Sequence, residues 1–82
     1  MTVYAVGVRF KNYEGWSKIY VYKAHLKYKK DEAIIVPDGS GFYSVAKVIN
    51  CKSNYEFKDE INYKYVIGSV NHLIQSHKEV NK

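Results

Sequence analysis

A chain of 82 residues and 9.6 kDa has room for one compact core, and a composition that is 46% hydrophobic and 16% aromatic, with nine tyrosines, excludes a disordered polar tract. Thirteen Lys and Arg against eight Asp and Glu leave +5 at pH 7, which favours anionic partners, while the single cysteine, Cys51, excludes an internal disulfide and any cysteine-built zinc cluster. No apolar run approaches the length of a membrane span, and MTVYAVGVRF lacks the basic start, long apolar stretch and cleavage site of a signal peptide, so a cytoplasmic location without a membrane partner is expected.

Residues 2–10 alternate, with Tyr4, Val6, Val8 and Phe10 on one face and Val3, Ala5, Gly7 and Arg9 on the other, which is the period of a strand. Gly7 within it lets the backbone bend or another segment approach. NYEG, residues 12–15, supplies a turn, and residues 18–24, rich in β-branched and aromatic side chains, return as the second strand of a hairpin. AIIVP, residues 33–37, reads as a short buried strand that ends at Pro37, which has no N–H for a further ladder bond. The glycines of PDGSG make the turn, and FYSVAKVIN follows as the partner strand.

Residues 52–60 are polar enough for a surface loop, and INYKYVIGSV, 61–70, reads as a fifth strand. In NHLIQSHKEV, Leu73, His77 and Val80 fall at i, i+4 and i+7 behind a capping Asn71, so a short helix is expected over 71–80. With no internal repeat or linker, the expectation is a single all-β domain over 1–82. Its architecture is a small five-stranded SH3-like barrel with a short C-terminal helix, and an OB-like barrel is the alternative.

The block DEAIIVPDGSGFYSVAKVI resembles a pattern of SH3-like barrels: an acidic residue, an alternating apolar strand ending in proline, a glycine turn, then an apolar strand. Over about residues 2–52 the chain looks most like small phage-type proteins of that fold. It is more loosely similar to the N-terminal DNA-binding domain of the primosomal helicase and to KOW domains. The resemblance implies association with nucleic acid or polymerase. Glu32 and Ala33 depart from it where a Gly-Asp pair often stands, as does Ala46 in place of a glycine.

No phosphate loop, dinucleotide fingerprint, HExxH or nucleophile elbow occurs. His72 and His77 lie five residues apart, about 140° around a helix, which is poor for sharing a metal, and Cys51 is a lone cysteine beside a strand end, with no sign of the converging base and oxyanion site a nucleophile needs. Asp31–Glu32 and Asp59–Glu60 are adjacent pairs, not opposed carboxylates. A nonenzymatic protein without a metal or other cofactor is therefore expected.

The candidate site is KIYVYKAHLKYKK, residues 18–30. If Ile19 and Val21 fill the core, Tyr20 and Tyr22 stand outside beside Lys18, giving rings for base stacking and a cation for phosphate, and Lys27, Tyr28, Lys29 and Lys30 continue that surface. The competing reading is an ordinary strand exterior, because tyrosine favours strands and lysine guards strand edges. Tyr63, Lys64 and Tyr65, and Tyr43 with Lys47, face the same choice. The functional expectation is a small basic accessory protein that binds nucleic acid, single-stranded or by its backbone. The alternative is a phage-encoded module that grips an acidic host protein of replication, transcription or defence through the same aromatic surface.

Overall fold

The computed structural model describes residues 2–71, and the regular elements assigned over them are all strands. Strand β1, Tyr4–Arg9, puts Val6 and Val8 into the core. The chain then forms a ribbon of β2, Lys11–Asn12, and β3, Gly15–Trp16, closed by a two-residue loop in which the Asn12 side chain accepts the Glu14 N–H at 2.9 Å. Gly15 takes φ 120°, a conformation open to glycine and strained for other residues. Strand β4, Tyr20–Ala24, returns antiparallel to β1 with Tyr22 opposite Val6 and Tyr20 opposite Val8.

Strand β5, Ala33–Pro37, ends at its proline, and β6, Tyr43–Lys52, pairs with it antiparallel after a turn held by Asp38. One Asp38 oxygen accepts the Ser40 N–H at 2.9 Å, the Ser40 hydroxyl at 2.7 Å and the Phe42 N–H at 3.0 Å; the other accepts the Ser44 hydroxyl at 3.0 Å. Those donors hold the carboxyl down at about 2, the Ser40 side chain being the largest cause. Strand β6 also pairs with β1, so the sheet is not a simple meander, and its order is β4-β1-β6-β5-β7, with β7 at Gly68–Ser69. The β1–β6 register shifts between Gly7 and Val8, which leaves Ile49 as an extra residue. A Cβ on Gly7 would stand 2.7 Å from Asn50 Oδ1 and 3.2 Å from Ile19 Cγ2, so any side chain here makes the Asn50 and Ile19 side chains shift.

The expected fifth strand over 61–70 is not one strand. Lys23 donates its N–H to the Lys64 carbonyl at 2.9 Å and accepts the Val66 N–H at 2.9 Å, a parallel bridge to the edge of β4. One residue later the Ile67 N–H donates to the Ile35 carbonyl at 2.9 Å, and Gly68–Ser69 pair with β5. Residues 64–69 therefore cross from one edge of the sheet to the other, too quickly for either pairing to become long. Beyond Asn71, the helix expected over 71–80 lies outside the described residues.

Candidate nucleic-acid interface

The phase of β4 decides which tyrosines can meet a ligand, and it is opposite to the expected one. Directly paired residues share a face of the sheet, and Val6 and Val8 are fully buried, so their partners Tyr22 and Tyr20 point the same way. Tyr22 is only 9% exposed and packs in the core with Ala24, Ile34, Val36 and Val48. Its hydroxyl donates to the Pro37 carbonyl at 2.9 Å in a partly buried hydrogen bond, and burial pushes the phenol above its ordinary pKa. Tyr28 is likewise a core residue with a phenol raised chiefly by burial. Tyr22 and Tyr28 thus supply core-facing bulk; Tyr22 also contributes to the groove lining described below, but with its ring packed in the core. Ile19, by contrast, is exposed and Val21 half-buried.

Tyr20 sits where this inward face runs out. It is 42% exposed, meets Phe10 edge-on with ring centroids 5.6 Å apart, and carries the Lys18 ammonium 5.2 Å from its ring centre. Together with Lys18 it lines an open groove of about 840 Å³ whose far wall is built from the loop after β6, including Tyr55, Ile61, Tyr63 and Lys64. That loop is held against the outer face of β4 by Lys23, whose ammonium stands 5.0 Å from the Phe57 ring and 5.7 Å from the Tyr63 ring. Phe57 in turn meets Tyr55 and Tyr63 edge-on, both with centroids 5.0 Å apart. The Tyr55 phenol is raised above its ordinary pKa, by desolvation first and then by the neighbouring Tyr63.

Lys18, Lys58 and Lys64 give the groove three exposed cations, against Asp38 as the one carboxylate among the described residues that line it. Asp38 has both oxygens occupied by turn donors, and Lys64 Nζ donates to its backbone carbonyl at 3.2 Å, so the groove's net character is basic and aromatic.

The chain matches no protein-family model, no curated protein and no solved structure.

The expected site is thereby divided. Lys18 and Tyr20 share the groove, whereas Lys27, Lys29 and Lys30 are exposed at the opposite end of β4, in a turn where the Lys29 N–H donates to Glu32 Oε1 at 3.0 Å. His25 stacks on Tyr65 with centroids 5.0 Å apart, away from the groove residues. Sequence reasoning missed Tyr55 and Lys58 because they lie in a stretch whose polarity reads as solvated loop, and only the cation–ring contacts of Lys23 reveal that it folds back.

Proposed function

We propose that the protein is a nonenzymatic accessory factor that binds single-stranded nucleic acid in the groove between β4 and the loop 55–64. The observation that carries this reading is the exposed Tyr20 ring, capped by the Lys18 ammonium and facing a wall that brings Lys58 and Lys64. A base sliding onto Tyr20 displaces Lys18 from the ring toward the adjoining phosphate, so stacking and charge neutralisation occur together. Lys27, Lys29 and Lys30 add positive field without sharing the groove. Tyr22 lines the groove floor from the core, and Tyr28 lies in the core outside the groove.

The architecture that fits this role is a small barrel of the SH3-like kind, with an OB-like closure as the rival. The crossing of residues 64–69 between the edges of β4 and β5 supports a closed form. A cytoplasmic protein of phage type remains the accompanying proposal. The second reading, a module that binds an acidic host protein, is favoured by Tyr43, Val45 and Ile67, which leave apolar surface exposed on the outer side of β5–β6 and residue 67.

Anisotropy of a labelled single strand across a salt series tests the first reading. Three phosphate contacts give a slope of log K against log salt of about −2, which is roughly a 20-fold loss between about 50 and about 200 mM. Affinity that is flat with salt, or retained in full by Tyr20→Ala, contradicts the groove. Retention of a protein partner from nuclease-treated extract, with no binding to strands, favours the second reading.

A further inference from the structure

The single tryptophan belongs neither to the core nor to the groove. Trp16 is 48% exposed, and two ammonium groups stand near its ring centre, Lys47 at 5.2 Å and Lys11 at 5.9 Å. Four separate strands meet at this point. The β2–β3 ribbon sets Lys11 opposite Trp16, while β1–β6 pairing sets Arg9 opposite Lys47. The next pair along the ribbon, Phe10 and Ser17, is tied by Ser17 N–H donating to the Phe10 carbonyl at 2.8 Å, and both residues line the groove. Successive side chains of a ribbon alternate, so Lys11 and Trp16 lie on its other face. Asp31 pairs with Lys47 at 3.3 Å, and among the described residues neither Arg9 nor Lys11 is in an ion pair.

We propose that Trp16 is a second stacking platform for one base of a single-stranded nucleic acid, whose flanking phosphates are taken by Arg9, Lys11 and Lys47. This rests on the reading of the groove as a single-strand site and extends it around the ribbon: a strand leaving the groove past Lys18 wraps the edge and meets the indole. Indole is the largest aromatic face the chain possesses, and its flanking cations fit the alternation of base and phosphate. An incoming base takes the ring face, and the released ammonium groups turn to the phosphates on either side. An acidic protein would satisfy the same cations, but the indole would then have no planar partner.

Because Trp16 is the sole tryptophan, its emission reports on this platform alone. The full chain is titrated with unlabelled oligothymidylates of about 4 to about 16 nucleotides, following both Trp emission and competition against a labelled strand. Long strands are expected to quench Trp16 at the midpoint of binding, while the shortest strands that bind do so without quenching. Trp16→Ala weakens the long strand about 5- to 150-fold and leaves the shortest unaffected, and Trp16→Phe restores part of the loss. Far-ultraviolet circular dichroism of both variants checks the fold. Long strands that bind with unaltered emission, and equally well to Trp16→Ala, overturn the platform and leave the groove standing. No binding by any strand overturns both. Quenching by a polyglutamate peptide at the same concentration, with none by strands, overturns the platform and reassigns the cluster to an acidic protein.

Discussion

Exchanging Tyr20 and Tyr22 separately for alanine should divide binding from stability. Tyr22 is almost wholly enclosed, so Tyr22→Ala removes a ring from a close-packed core and costs about 3–5 kcal/mol, as large aromatic truncations do. Tyr22→Phe keeps the ring and loses only the 2.9 Å bond to the Pro37 carbonyl, costing about 0.5–1.5 kcal/mol. Tyr20→Ala forfeits one edge-on contact with Phe10, about 0.5–1.5 kcal/mol, together with an exposed cation–π contact of about 0.5–1 kcal/mol. A domain of this length has about 4–12 kcal/mol to lose, so Tyr22→Ala is close to unfolding and Tyr20→Ala is not. Urea denaturation measures all three, and each kcal/mol should move Tm by about 4–8 °C. The affinity of folded Tyr20→Ala for a single strand should drop about 5- to 150-fold while Tyr22→Phe binds as the parent does. Equal stability losses at the two alanine variants, or a larger one at position 20, would refute the assignment of one ring to the core and the other to the groove.

Other outcomes follow from single contacts. Turn donors hold the Asp38 carboxyl down at about 2 against 3.8 ordinarily, so its contribution is complete above about pH 5 and is lost as pH falls through about 2. Asp38→Asn should therefore melt lower than the parent near neutrality, with the difference shrinking across that acid window. Gly7→Val places atoms where Asn50 and Ile19 already stand, and thermal melts should show a loss of about 1–3 kcal/mol. Replacing Lys64 by glutamine should reduce the salt slope of strand binding by about 0.7, the effect of one phosphate contact, without altering the fold.

Alternation, proline and glycine carried much of the fold into the sequence. β5 ends at Pro37, the Asp38 turn follows, and Val6 and Val8 face inward, all as pattern and turn chemistry dictate. The phase of β4 was not legible in the same way, because Ile19 and Val21 on one face and Tyr20 and Tyr22 on the other are both able to fill a core. Pairing to Val6 and Val8 decides between them, and that pairing is nonlocal. Residues 61–70 carry strand-forming side chains throughout, but two different neighbours claim consecutive short pieces of them. Trp16 stands alone in the sequence, and its lysines, at positions 11 and 47, arrive only through strand pairing.

The most direct measurement is an amide chemical-shift map of the nitrogen-labelled protein titrated with a short oligothymidylate. On our account the largest changes are expected at residues 17–21 and 61–64, with the amide of Tyr28, which lies outside the groove, hardly moved. Changes confined to the outer β5–β6 face around Tyr43 and Val45, or none at concentrations well above the protein's, would contradict it.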